Sequence, residues 1–297
     1  MKVRDITERI ESFAPLALQE SYDNAGLIVG RYDNELTGGV LLAVDVTDEV
    51  IDEALEKGCG MIITHHPIVF NAMKRFNSAS LVERCVERAI KHDIALYACH
   101  TNLDAAVGGM SWRLGTMLGV ENMQALEAAA DGTGFGVVGN LAQPMVVEEF
   151  FALLRSTLGC KAVRHSKVVK SEIQRIAICT GAGGSLIEQA AQSGCDVYVT
   201  ADVKYNQYYL PDGRFVLCDV GHYESEYCAI DLLFDILADL SKIFSNFALH
   251  KSPSRLESRA GFFVPLEMNA CLPGCVWNAT PRSLSPLERN IGFWTQA

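Results

Sequence analysis

The sequence predicts an α/β fold, and three observations carry the prediction. Short apolar runs of strand length alternate over the first hundred residues with longer segments whose apolar residues recur at helical spacing. The same alternation resumes between residues 146 and 247. Several of the strand-like runs end abruptly in polar residues, as expected where strands deliver the chain to a binding crevice.

Residues 3–13 read as a helix, with Val3, Ile6, Ile10 and Phe13 on one stripe, and Pro15 closes it. The polar turn Ser21-Tyr22-Asp23-Asn24-Ala25 leads into a short strand bounded by Gly30. Residues 39–46 form a second strand, after which Thr47 is a good N-cap for a helix over 48–57, with Asp48 and Glu49 at its positive end. Gly58-Cys59-Gly60 precedes a buried strand, Met61-Ile62-Ile63-Thr64, that ends in His65-His66-Pro67. A helix over 80–92 and a strand over 94–98 follow, running into Cys99-His100-Thr101-Asn102-Leu103-Asp104, and then a helix over 108–118 stopped by Gly119. Residues 121–139 are rich in Ala and Gly without a clear period, which places a boundary between an N-terminal α/β domain, 1–124, and a second, 125–250.

The second half reads as a helix over 146–158, a strand over 175–180, a glycine-rich turn and helix to Ser193, strands over 196–200 and 215–220, and a helical stretch over 223–247. Residues 251–297 hold two of the three tryptophans without sustained periodicity and read as an atypical C-terminal extension. No repeat of twenty to fifty residues is visible.

At 297 residues, with 49% hydrophobic and 21% charged residues, the composition is that of an ordinary globular protein. A net charge of −11 argues against a nucleic-acid partner, and no apolar run is long enough to span a bilayer. Met1-Lys2-Val3-Arg4-Asp5 lacks the apolar block of a signal peptide, so a cytoplasmic setting is expected. Of ten cysteines, Cys59, Cys85, Cys99, Cys179, Cys195, Cys218 and Cys228 lie in or beside apolar segments, and none belongs to a C-x-x-C pair. Cys271 and Cys275 are spaced C-x-x-x-C with no partner to complete a zinc site, so reduced, mostly buried thiols are expected.

Four of the seven histidines fall in three stretches, His65-His66, His100 and His222, each just after a predicted strand. Adjacent residues on a strand point to opposite sides, so His65 and His66 are either a polar strand cap or donors to two neighbouring ions. Asp104 follows His100 by four positions, and a helix starting near Gly221 would put His222 and Glu226 on one face, with Glu224 elsewhere.

Tyr22-Asp23-Asn24-Ala25-Gly26-Leu27, His65-His66-Pro67, His100-Thr101-Asn102-Leu103-Asp104 and Gly221-His222-Tyr223-Glu224-Ser225-Glu226 resemble, in this order, the motifs of the NIF3-like proteins, also called GTP cyclohydrolase 1 type 2 homologues. The resemblance runs from about Ile6 to about Leu249 and is to the short form, without an inserted central domain. It implies two α/β domains with a dinuclear divalent-metal site in the cleft between them. It also implies ligands at His65, His66, Asp104, His222 and Glu226, with Glu226 bridging, His65 and Asp104 on one ion, and His66 and His222 on the other. The mixed nitrogen and oxygen set suits Zn, Fe, Mn, Ni or Co. His100 is left over, a neutral imidazole able to shuttle a proton, hold a ligand or make a structural hydrogen bond. The family label further implies a small-molecule substrate of nucleotide class and a homo-oligomer, a hexameric ring in form.

Two functions of different class follow: a metal-dependent hydrolase, in which metal-activated water attacks a C–N or related bond, and a metal-binding, metal-delivery or scaffold protein without turnover. Three departures from the family pattern bear on the choice. Tyr22 stands where Trp is usual, Ala201 and Asn206 stand where Gly and His are usual, and the tail does not match the family's short end. Asn206 cannot act as a base or relay a proton at neutral pH, which leans toward the second class. Gly181-Ala182-Gly183-Gly184-Ser185 lacks the Lys of a phosphate loop and reads as a tight turn. Lys161, Arg164, His165, Lys167 and Lys170 read as a solvated basic face.

Overall fold

The computed structural model describes residues 1–36, 38–243 and 248–253. Helix α1 (Val3–Glu11) buries Val3, Ile6 and Ile10, the predicted stripe, while Phe13 packs just past its end. Strands β1 (Gly26–Val29) and β2 (Gly39–Ala43) precede α2 (Asp48–Glu56), capped as expected by Thr47 accepting from the Val50 amide. Then come β3 (Cys59–Thr64), α3 (Leu81–Lys91) capped by Ser80, β4 (Ala95–Ala98), α4 (Thr101–Ala105) and α5 (Met110–Met117). The chain continues through β5 (Val120–Ala128), β6 (Gly134–Val146), α6 (Val147–Leu158), β7 (Arg164–His165), β8 (Glu172–Ile178) and α7 (Ile187–Gln192). It closes with β9 (Val197–Thr200), β10 (Val216–Asp219), α8 (His222–Glu226), α9 (Cys228–Ile243) and β11 (Ala248–Lys251).

The strands form two sheets, ordered β1-β4-β3-β2-β11 and β5-β6-β8-β9-β10-β7. Side chains alternate across the first sheet with period two. Leu41, Ala43, Ile62 and Leu96 face α2 and α3, whereas Val40, Leu42, Met61, Ile63, Ala95 and Tyr97 face a larger apolar cluster. That cluster also takes residues of α1, α5, α6 and α9 and one face of the second sheet, through Val137, Ile176, Ile178, Val199 and Cys218. The other face of the second sheet, with Val138, Ala177, Tyr198 and Leu217, packs on α7.

Two features position the functional residues. In the first sheet β2, β3 and β4 are parallel, with Ala43 beside Thr64 and Thr64 beside Ala98. Pairing persists just past the strand ends, where the His66 amide donates to Val44 O (3.0 Å) and the Cys99 amide to Thr64 O (2.8 Å). In the second sheet β8, β9 and β10 are likewise parallel, and the Ala201 amide donates to Gly181 O (2.9 Å) and the Val220 amide to Thr200 O (3.0 Å). Each sheet therefore delivers three chain segments at the carboxyl ends of parallel strands, where binding residues collect in α/β proteins.

The structure differs from the sequence reading in four places. Residues 121–139, expected to be aperiodic, belong to the β5–β6 hairpin; β5 is an edge strand with mostly exposed side chains, and an irregularity between Glu121 and Gln124, with Asn122 at φ 52°, breaks its alternation. Strands β7 and β11 are too short to announce themselves, and β11 returns the chain to the first sheet beside β2. Helix α4 occupies five residues of the motif after His100. The expected long helix is two, α8 and α9, and residues 244–247 lie outside the described set. So do residues from 254 onward, including most of the expected extension and the Cys271–Cys275 pair. The eight described cysteines are free, seven buried and Cys179 half-buried. Among the described residues, no helix is long and apolar enough to cross a membrane.

Candidate metal centre

All six residues singled out in the sequence lie at strand ends or on the short helices that follow them. His65 and His66 follow β3, His100 caps α4 and Asp104 sits on it, and His222 and Glu226 are the first and last residues of α8. The four imidazoles and two carboxylates converge. Ring centroids of His65, His66 and His100 are 5.0 to 5.5 Å apart, and His66 and His222 are separated by 5.4 Å. Two groups have ligand atoms close enough to hold an ion: His65, His66 and His100, and His66, His222 and Glu226.

Every imidazole is oriented through Nδ1. That nitrogen meets Cys99 O for His65 (2.7 Å), Asp45 Oδ1 for His66 (2.8 Å), Asp23 Oδ1 for His100 (2.7 Å) and Asp202 Oδ2 for His222 (2.8 Å). A proton on Nδ1 satisfies each acceptor, which leaves the Nε2 lone pair facing inward, the arrangement typical of histidine ligands. The strand-end pairing explains two of these contacts. It sets His66 beside Val44, hence near Asp45, and Cys99 beside Thr64, hence near His65.

Glu226 stands at the centre. Its Oε1 is 3.5 Å from His65 Nε2, and its Oε2 is 2.9 Å from His66 Nε2 and 3.0 Å from His222 Nε2. The latter two approaches lack hydrogen-bond geometry. Three buried polar atoms consequently have no hydrogen-bond partner: His65 Nε2, Asp104 Oδ1 and Glu226 Oε2. His65 Nε2 and Asp104 Oδ1 are 3.9 Å apart. Leaving one buried polar atom unpaired costs about 1–3 kcal/mol, and three around one small volume mark a place meant for something else.

The electrostatics agree. Burial raises the Asp104 carboxyl. Burial also opposes the Glu226 charge, yet His65, His222 and His66 around it hold that carboxyl well below its ordinary range. Burial disfavours charge on His66, but Asp45 and Glu226 outweigh it and push the imidazole up to about 10. Glu226 is the main influence on His222, pushed up to about 9. His65 moves upward too, burial being outweighed by Glu226 and Asp104. The carboxylates thus demand positive charge at the imidazole nitrogens. Among the described residues, no Lys or Arg is paired with Asp23, Asp45, Asp104, Asp202 or Glu226.

Gly181 makes room for this centre. At φ 64° it takes a left-handed conformation, and its amide donates to Ser225 Oγ (2.9 Å). A Cβ there would lie 2.3 Å from Glu226 Oε1 and 3.4 Å from His222 Nε2. The amide of Gly183 is taken by Thr200 Oγ1 (2.9 Å), and its carbonyl by Tyr198 OH (2.7 Å). The glycine turn is therefore spent on packing and on the carboxylate, in keeping with the tight-turn reading. The basic run is exposed apart from contacts such as Arg164 with Asp219 (2.6 Å).

Sequence reasoning missed Asp45, Asp202 and the role of Gly181, and quoted Asp23 only as part of a motif. A signal existed for the two aspartates, since both lie within two residues of a parallel strand's carboxyl end. Asp202 also holds φ 53°, a conformation Asp tolerates better than most residues. Asn206 is exposed on the 3-10 turn Tyr205–Tyr209, and Glu224 stands outside both groups.

Comparison with known proteins agrees with the motifs. A sequence model of the family described as Duf34/NIF3 (NGG1p interacting factor 3) matches residues 1–254. A Clostridium perfringens protein named GTP cyclohydrolase 1 type 2 homolog is 37% identical over 231 residues, covering 76% of this chain and 87% of its own length. A protein of the same name from Clostridium acetobutylicum is 32% identical over 236 residues, with 77% and 87% covered. Among solved structures, a Staphylococcus aureus hypothetical protein superposes with a TM-score of 0.80 at 29% identity, covering 87% of this chain and 98% of that one.

Proposed function

The chain belongs to the Duf34/NIF3 family, and from that premise we propose that it binds two divalent metal ions and uses them as a hydrolase. The observation that carries the reading is the set of orphaned buried atoms, His65 Nε2, Asp104 Oδ1 and Glu226 Oε2, among imidazoles whose Nδ1 atoms are already engaged. The donor set fits borderline divalent ions such as Zn, Fe, Mn, Ni or Co. His65 and Asp104 would hold one ion and His66 and His222 the other, with Glu226, whose Oε1 faces His65 and whose Oε2 faces His66 and His222, available to both. Charge supports bound cations. Three largely buried carboxylates, Asp23, Asp104 and Glu226, have no Lys or Arg partner among the described residues, and bound cations would compensate them.

When bound, two such cations supply Lewis acidity and lower the pKa of attached water. The protein's part is to fix the donors. Asp45, Asp202 and the Cys99 carbonyl hold three rings in one tautomer, and burial of Glu226 keeps bulk water from its oxygens. His100, backed by Asp23, is placed to accept a proton at Nε2 and return it to a leaving group. Its closeness to His65 and His66 equally fits a sixth ligand, and a diffraction map at the metal edge decides between them. The bond attacked is of C–N or related type, as the relatives' printed name suggests for them. The absence of cationic partners around the carboxylates gives no support to a triphosphate in particular. The protein acts on a small molecule in the cytoplasm, as a homo-oligomer.

Elemental analysis of purified protein, followed by turnover assays on nucleosides, cyclic amides and esters, tests the reading. Two equivalents of metal and a hydrolysis abolished by Glu226→Ala support it; no bound metal refutes it. Two tightly held, exchangeable ions without turnover would instead favour metal binding or delivery, the reading toward which Asn206 leans.

A further inference from the structure

We propose that Tyr22 and Phe70 form a stacking platform for a planar heteroaromatic ring of the ligand that enters the metal site, a specificity element resting on the metal reading above. Tyr22 is 64% exposed and Phe70 45%, whereas the buried tyrosines Tyr97 and Tyr198 are 1% and 0% exposed. Exposure alone says little, since single aromatics on a surface are common. What distinguishes these two is where they are and how they are held.

Their ring centroids are 6.4 Å apart, and Phe70 meets the His100 ring edge-on at 6.0 Å and 86°. His100 in turn lies 5.3 and 5.5 Å from His65 and His66, so a chain of ring contacts links the candidate ligands to the open rings. The two loops are tied to one another and to the cluster. Asn24 Nδ2 donates to Val69 O (2.7 Å), linking the neighbours of both rings. Between Tyr22 and Asn24, Asp23 accepts from His100 Nδ1 (2.7 Å) and from the Thr101 amide (3.0 Å). These two rings are fixed against the cluster with much of their surface left open.

The chemistry selects the occupant. Open Tyr and Phe faces take flat π systems in stacked or edge-on contact. They also attract cations, but two divalent ions a few rings away repel a cationic ligand. The far end of the ligand must offer oxygen or nitrogen donors to those ions. A neutral or weakly charged heteroaromatic compound meets all three conditions, while an aliphatic substrate gains apolar contact from the pair without the stacking contribution.

The test uses metal-loaded full-length protein and calorimetric titration with two probes that share a metal-binding head, benzohydroxamate and cyclohexanecarbohydroxamate. Inosine and ribose are titrated in parallel as a stacking pair without that head. Wild type is expected to prefer benzohydroxamate about tenfold, and the Tyr22→Leu/Phe70→Leu double variant, which keeps apolar bulk, to lose the preference with metal content unchanged. Equal affinities in wild type, or a preference that survives the double substitution, overturns the proposal. If elemental analysis finds no cation, the metal reading fails and the inosine arm alone decides: a preference over ribose removed by the double variant supports the platform, and none refutes it. A platform covered by a protein partner instead would give no preference in either arm.

Discussion

Gly181→Ala should separate the metal centre from the fold. Two effects meet at this position: strain at φ 64°, about 1 kcal/mol for a residue with a Cβ, and the approach of that Cβ to Glu226 Oε1 at 2.3 Å. Gly194 supplies the control, with φ 70° and nothing within 4 Å of an added Cβ. Both alanine variants should lose the same small stability in the presence of a chelator, because the strain is common to both and a metal-free carboxylate tip can swing aside. With metal they should part. Relief of the contact moves Oε1 by about 1 Å, several times the tolerance of a coordination bond. Disturbing even a residue that merely supports a ligand costs 10–100-fold in metal affinity, so shifting the central carboxylate should cost about 100-fold or more, or about 3 kcal/mol. Competition against a chelating dye, with elemental analysis after dialysis, measures this. A Gly181→Ala protein that retains two equivalents of metal within about threefold of the Gly194→Ala affinity would refute the placement of Glu226 at the centre.

Metal removal should lower thermal stability, since metal at 100 times its dissociation constant adds about 2.7 kcal/mol, or about 5–10 °C for a domain of this size; a melting temperature indifferent to chelation would remove the centre from the stability argument. The pH dependence of stability should reverse sign with metal. In the metal-free protein His66 and His222 are raised to about 10 and about 9, so their stabilisation is present below about 6.5 and is lost as pH climbs toward 9–10. With metal bound, proton competition fades over the same range and stability rises. Urea midpoints between pH 6 and 9 with and without chelator should therefore slope in opposite directions, and parallel slopes would contradict the assignment. Asp219, 1% exposed, accepts from the amides of Val203 and Gly221 and from Arg164, pinning the loops that carry Asp202 and His222. Asp219→Ala should cost about 2–4 kcal/mol in chemical denaturation and weaken any metal binding that uses His222; a stability change below about 0.5 kcal/mol would show that those loops are held by other contacts.

Much of the fold could be read because it rests on local signals. The stripe Val3, Ile6, Ile10 marks α1, Thr47 caps α2, and the apolar run before His65 is β3, each specified by residues within a few positions of one another. The β5–β6 hairpin could not be read that way. Its edge strand has little to bury, and the irregularity near Asn122 resets the side-chain alternation, so its specification is the pairing partner across the sheet. β11 is an extreme case: four residues, none fully buried, that are a strand only because β2 lies beside them.

The site divides along the same line, and the division says where its chemistry is encoded. The inward donors were legible because histidines and carboxylates at strand ends stand out by residue type, and the four-residue spacing of His222 and Glu226 survives as the two ends of α8. The groups that choose which nitrogen points inward were not. Asp45 reaches His66 only because β2 and β3 are parallel and end together, and Asp202 reaches His222 only because β9 and β10 do the same. Register thus acts as the ligand-orienting device on both sides of the centre. A one-residue slip in either pair would shift the aspartate along the strand direction by about 3.3 Å, out of hydrogen-bond reach, and free the imidazole to flip, while every candidate ligand remained in the sequence. The candidate site is therefore a property of strand register as much as of the six residues that face it.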